Sequence, residues 1–161
     1  MPVINVDTNL DNASITITAE FAAPIEQVWD IYADPRKLEK VWGPPDCPAT
    51  FVEHSLTPGG RTSYYMELPE GGRACGWWQV TAVDAPNSFT FDDGFADVNL
   101  QPIDDMPTSA NVYSFTESGG VTRAVFTSTY TTAEGLAQVL EMGVIEGATA
   151  AINQIDGLLA A

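Results

Sequence analysis

The sequence predicts an α+β domain in which a curved antiparallel sheet of about seven strands wraps around a long C-terminal helix, with two short helices after the first strand. Six strand-like runs follow one another with only short turns between most of them, which is typical of an antiparallel meander. The last segment, 131–160, instead repeats apolar residues at helical spacing. A sheet that buries one face with one helix must curve around it, so we expect a space between the two. The length of 161 residues is that of a single domain, which we assign to 1–161.

A strand and two short helices come first in the chain. The run at 13–21 alternates apolar and polar residues, which predicts a strand. Pro24 suits the first turn of a helix. Asp34 is expected to cap a second helix with Pro35 at its first position. The Gly-Pro-Pro after Trp42 ends that helix, so a large aromatic residue stands at a stiff break in the chain.

The meander follows this break. Its predicted strands are the runs at 49–56, 61–68, 74–83, 88–95, 109–116 and 121–130. The longest loop, 94–108, continues an acidic stretch that begins at Asp92. Its carboxylates lack the spacing of an EF-hand, so we predict a solvated acidic loop and no metal site.

The C-terminal helix carries small residues in the middle of its apolar stripe, including Gly143 and Gly147. Thr131 or Thr132 is predicted to cap its first turn. An interior glycine costs about 1 kcal/mol of helix propensity against alanine, so its presence needs a reason. Two explanations stay open: close packing of the helix backbone on the sheet, or room for a cavity.

The charge and the cysteines exclude several classes of function. The chain has 22 acidic and 6 basic residues, a net charge of −16, which disfavours nucleic acid and anionic membranes as partners. We predict no signal peptide and no membrane span. The two cysteines do not make a disulfide framework, which predicts a cytoplasmic protein. Cys47 and Cys75 should be free thiols, and with His54 as the single histidine a zinc site lacks ligands. No cofactor is predicted.

The order of several short motifs resembles the SRPBCC superfamily, the group of START, polyketide-cyclase and Bet v allergen-like proteins. The motifs are APIEQVWDIYADPRKLEKVWGPP, LTPGGR, YYMELPEG, GWWQVTAVDAPNSFTFDDGF, MGVIEG and QIDGLLA. Within that superfamily the chain is most similar to the branch named for homology to the activator of the heat-shock-protein ATPase. The resemblance implies a helix-grip fold with a deep apolar pocket. It implies no single function, because relatives include carriers, cyclases, hydrolases and a chaperone co-factor.

Strand faces predict which residues line such a pocket. Trp77 and Trp78 must point to opposite faces of their strand. If Val83 faces the core, then Trp77 and Gln79 share its face and Trp78 lies outside; a bulge near Gly76 would exchange the faces. The complete predicted ligand-binding set is Trp42, Tyr64, Met66, Trp77, Gln79, Phe91, Met142, Gly143 and Gly147.

Three functions are compatible with these residues. The first is non-catalytic binding of a small, largely hydrophobic molecule, because no acid–base or nucleophilic constellation stands out and we predict no catalytic residue. The second is a cyclase- or hydrolase-type enzyme that uses pocket groups such as Gln79, Tyr64, His54 or Asp93. The third is a chaperone-related interaction module. The chain is expected to act as a monomer or homodimer.

Overall fold

A computed structural model describes residues 2–161, which contain one antiparallel sheet of eight strands. The strands are β1 (Val3–Asn9), β2 (Ser14–Phe21), β3 (Ala49–His54), β4 (Arg61–Glu67), β5 (Arg73–Asp84), β6 (Ser88–Ala96), β7 (Thr108–Ser118) and β8 (Val121–Tyr130). Their order in the sheet is β1-β2-β8-β7-β6-β5-β4-β3. The predicted meander from β3 to β8 is therefore confirmed, and β2 joins its last strand.

Two helices connect β2 to β3, and the rest of the helical structure is C-terminal. The helices are α1 (Ile25–Ala33), α2 (Pro35–Leu38), α3 (Ala133–Glu141), α4 (Val144–Asn153) and α5 (Ile155–Leu159). The caps form as predicted: Asp34 accepts a hydrogen bond from the Arg36 amide at 2.9 Å, and Thr132 accepts one from the Gly135 amide at 2.9 Å. The arrangement is the predicted helix-grip α+β fold.

The structure corrects two elements. β1 is an eighth strand that was not predicted. It pairs only with β2 and is exposed along most of its length. It therefore lacks the buried face whose alternating apolar residues would predict a strand. The C-terminal helix is not continuous. Gly143 has a left-handed backbone (φ 82°) that ends α3, and α3 and the α4–α5 segment are bent by 64°. No single helix within residues 2–161 is long and apolar enough to cross a bilayer, although this bent pair reaches that length and composition.

Large aromatic side chains fill one end of the concave face, under α1. Trp29 of α1 meets Phe89 and Phe115 edge-on at centroid distances of 5.7 and 6.2 Å, and Tyr32 lies 5.7 Å from the ring of Phe115. Phe89 and Phe115 are each only 1% exposed. This end of the sheet is therefore a packed core.

Candidate functional site

A cavity of about 470 Å³ lies between the other end of the concave face and the C-terminal helices. Its walls come from β2, β4 to β8, the ends of α1 and α2, the chain after α2, and α3 and α4. Most lining side chains are apolar, as is usual for small-molecule sites. The aliphatic and small ones include Ile15, Ile17, Leu38, Val41, Leu68, Ala74, Val139, Val144, Ile145, Gly147, Ala148, Ala151 and Ile152.

Small residues on α4 leave the space open. A Cβ built on Gly147 would meet a single neighbour within 4 Å, the Cγ of Pro44 at 3.8 Å. Ala148 and Ala151 line the cavity beside it. Gly147 thus leaves the cavity open instead of letting the helix backbone pack onto the sheet.

Trp42 and the Gly-Pro-Pro break form one wall of the cavity. A Cβ at Gly43 would overlap the Cys47 carbonyl, so only glycine permits this turn. The side-chain amide of Gln154 donates to the Gly43 carbonyl at 2.7 Å and ties the break to the C-terminal helices. The Trp42 ring meets Tyr64 edge-on at 5.7 Å. The stiff break therefore holds Trp42 between the core and the cavity.

The predicted faces of β5 are wrong. Trp78 is fully buried on the concave side, with its ring stacked 4.2 Å from that of Phe91, and Trp77 lies on the outer side against Gly94. The pairing of β5 with β6 shifts between Val80 and Ala82. This bulge breaks the alternation between Trp77 and Val83, from which the face was predicted. The bulge lies on the other side of the tryptophans from Gly76, where the sequence suggested one.

Three further predicted residues lie away from the cavity. Gln79 sits on the outer side of β5, where its amide donates to the Gly59 carbonyl at 3.0 Å. Phe91 is 1% exposed and belongs to the packed core. Gly143 marks the helix break and contributes no wall.

The remaining predicted residues do line the cavity: Trp42, Tyr64, Met66, Met142 and Gly147. Tyr64 is 8% exposed and its ring covers Gly76, where a Cβ would overlap it. Met142 is 55% exposed. Because the same side chain borders both the cavity and the solvent, the cavity opens beside the α3–α4 break.

Polar side chains are concentrated in the sheet wall of the cavity. Asp93 of β6 is opposite Ser109 of β7, which is opposite Tyr130 of β8. In the next row Asn111 lies opposite Ser128. All five line the cavity, so the sheet supplies its polar wall and the helices supply an apolar one.

The side-chain amide of Asn111 forms hydrogen bonds within the protein. Its amide nitrogen donates to the Phe91 carbonyl at 3.2 Å and to the Ser109 carbonyl at 3.3 Å. Its side-chain oxygen accepts from the Ser128 hydroxyl at 2.6 Å. Asn111 therefore serves mainly to hold β6, β7 and β8 together at the cavity wall.

Burial shifts the titration of Asp93 strongly. The cavity wall raises the pKa of its carboxyl from 3.8 to about 7, because burial disfavours the charged form. Asp93 is half-buried, and its exposed surface borders the cavity. Burial also raises the pKa of Tyr64, Tyr113 and Tyr130, and the nearby Asp93 charge raises each further.

His54 lies outside the cavity. Its Nδ1 is 2.7 Å from the Thr62 hydroxyl and its Nε2 is 2.7 Å from the Tyr32 carbonyl oxygen, and burial lowers its pKa. These bonds give it a structural role. Cys47 and Cys75 are free thiols, as predicted. Across residues 2–161 no three side chains of His, Cys, Asp or Glu are placed to hold a metal ion.

Most of the polar wall was not predicted from the sequence. Asp93 was among the predicted pocket groups, whereas Asn111, Tyr113, Ser128 and Tyr130 were not. Alternation along β7 and β8 was the available signal, since Asn111 and Tyr113 share one face of β7 and Ser128 and Tyr130 share one face of β8. Polar residues on a core-facing parity indicate a cavity wall.

Comparison with known proteins gives one family. The family model described as "Activator of Hsp90 ATPase homolog 1-like protein" matches residues 22–160. No match is found among curated proteins.

Three solved structures are similar over nearly the whole chain. A crystal structure of a protein from Mycobacterium smegmatis is 60% identical with a TM-score of 0.92, covering 98% of this chain and 97% of that one. A solution structure from Arthrobacter aurescens is 42% identical with a TM-score of 0.93, covering 98% and 92%. Another from Staphylococcus epidermidis is 28% identical with a TM-score of 0.84, covering 98% and 94%.

Proposed function

Because this chain belongs to the family of activator of Hsp90 ATPase homolog 1-like proteins, whose helix-grip fold it shares, we propose that it binds a small, largely hydrophobic molecule. The binding site is the cavity between the sheet and α3–α4. Its wall residues include the sequence-predicted Trp42, Tyr64, Met66, Met142 and Gly147.

The cavity itself supports this proposal. Its volume of about 470 Å³ falls within the range of roughly 300–1,000 Å³ that is typical of small-molecule sites. Apolar side chains from the C-terminal helices and aromatic rings from the sheet surround it, and Met142 at its mouth is partly exposed. Transfer of an apolar ligand from water into such a space is favourable in proportion to the area buried.

The test is the binding of N-phenyl-1-naphthylamine, an uncharged apolar dye whose emission rises in apolar surroundings. We expect the wild-type protein to bind it. Gly147→Leu should abolish binding because its side chain projects into the open space beside Pro44. The variant should keep or gain stability, since leucine is favoured over glycine in a helix by about 1 kcal/mol.

Gly157→Leu is the matched control. Gly157 lies in α5, is exposed, and a Cβ there meets no atom within 4 Å. This variant should bind the dye like the wild type. Equal binding by all three proteins would place the dye outside the cavity and refute the proposal.

A further inference from the structure

The carboxyl group of Asp93 has no partner in the cavity wall. No side chain of residues 2–161 forms an ion pair with it or donates a hydrogen bond to it. A buried carboxylate without a partner is costly, so native proteins pair such groups or bind ions there. Asp93 instead faces open space that it shares with Tyr64, Tyr113 and Tyr130.

The other titratable groups that line the cavity are neutral near pH 7. They are Tyr32, Tyr64, Cys75, Tyr113 and Tyr130, and burial raises the pKa of each. The six basic residues of the chain all lie outside the lining of the cavity. Asp93 is thus the lining group that changes charge near neutral pH.

The surroundings of Asp93 suit a cation. The rings of Trp42, Tyr64 and Tyr113 border the same space, and aromatic faces attract ammonium groups. The net charge of −16 also raises the local concentration of cationic ligands around the protein. A ligand ammonium would supply the charge that the protein itself does not place beside Asp93.

From this geometry we infer that the ligand is a lipophilic amine, an apolar body with one ammonium group that pairs with Asp93 while the body packs against α4. The inference rests on the proposed function, since it assigns a ligand class to the same cavity. The apolar body accounts for the helix wall, and the ammonium accounts for the one unpartnered acid of the sheet wall.

The experiment compares decylamine, decan-1-ol and decanoate as competitors of N-phenyl-1-naphthylamine, in sodium chloride high enough to screen attraction to the protein surface. The three competitors each contain ten carbon atoms, so a difference in their competition with the dye comes from their head groups. Decylamine should displace the dye at a concentration about 10- to 100-fold lower than decan-1-ol, the range expected for a charged hydrogen bond. Decanoate should be the weakest because its carboxylate is repelled by Asp93.

Two variants test whether the preference for decylamine depends on Asp93. Asp93→Asn keeps the shape of the side chain and should remove the preference for the amine while leaving competition by decan-1-ol unchanged. Asp92→Asn alters the neighbouring exposed acid and should keep the preference. An equal preference for the amine in wild type and Asp93→Asn would overturn the inference. Failure of the dye and of all three competitors to bind the wild type would instead refute the proposed function.

Proton release gives a measurement that needs no variant. With an Asp93 pKa of about 7, decylamine binding at pH 7 should expel about half a proton per protein, because the bound ammonium favours the carboxylate. Calorimetry in phosphate and Tris, whose ionisation heats differ, measures this number. Decan-1-ol should release none, and equal release by both compounds, or none by either, would count against the pairing.

Discussion

β6 carries a phenylalanine near each end: Phe89 lies in the packed core and Phe95 borders the cavity. At one end Phe89 contacts several aromatic rings, including Trp29 of α1 at 5.7 Å and Tyr113 at 5.3 Å. At the other end Asp93 and Phe95 border the cavity. The sheet is continuous across both ends, so the covering helix makes the difference.

The size of the helix residues determines which end is filled. α1 presents Trp29 and Tyr32 to the sheet, whereas α4 presents Gly147, Ala148 and Ala151. Interiors normally pack to a density that leaves few voids. A stripe of small residues opposite a sheet wall therefore preserves a cavity that large residues fill at the other end.

The largest expected effect comes from truncating the same residue type at each end of β6. Phe89→Ala removes a ring that is 1% exposed and should lower the free energy of unfolding by about 3–5 kcal/mol. Phe95→Ala should cost about 1–2 kcal/mol, since Phe95 is half-buried and already lacks contacts on its cavity side. Denaturant unfolding of both variants measures the difference. An equal loss of unfolding free energy in the two variants would show that Phe95 is as tightly packed in solution as Phe89, with no open cavity beside it.

At the cavity end of β6, burial of Asp93 makes the free energy of unfolding depend on pH. Its carboxyl is protonated in both states below about pH 4; between about pH 4 and pH 7 the unfolded chain releases the proton and the folded protein retains it. The stability that this group contributes is therefore fully present below about pH 4 and is lost as pH rises from about 4 to about 7. Asp93→Asn lacks this loss, so its advantage over wild type in unfolding free energy should grow between pH 4 and pH 7.

The gain from Asp93→Asn should level off above pH 7, at no more than about 4 kcal/mol. Urea unfolding at several pH values measures it. The exposed neighbour in Asp92→Asn provides the control and should show no comparable growth. A flat profile for Asp93→Asn would mean that water reaches the carboxyl freely.

The smallest expected effect concerns Trp42, which lies at the boundary between the two ends. Its ring is 5.1 Å from that of buried Trp78 and also borders the cavity. Decan-1-ol binding should change tryptophan emission, and Trp42→Phe should remove most of that change at a stability cost of about 1–2 kcal/mol. Trp77→Phe, on the outer face, should retain it. A response that persists in Trp42→Phe and disappears in Trp77→Phe would contradict the position of both rings.

Much of the fold follows from local sequence. Alternating residues and turns predict the strands β2 to β8 and the meander from β3 to β8. Asp34 and Thr132 are identifiable as caps because each bonds within its own helix turn. The small residues around Gly147 also mark the possibility of a cavity. These features depend on neighbours a few positions apart, which a sequence displays directly.

Tertiary structure alone decides the rest. The face of Trp77 depends on a bulge that arises where β5 pairs with β6, and a shift of one residue exchanges the two faces. The break at Gly143 and the exposed edge strand β1 likewise depend on how elements meet. The environment of Asp93 forms only when β6, β7, β8 and α4 surround one space. Burial of a charge depends on everything packed around it, so its pKa and its lack of a partner are properties of the assembled fold.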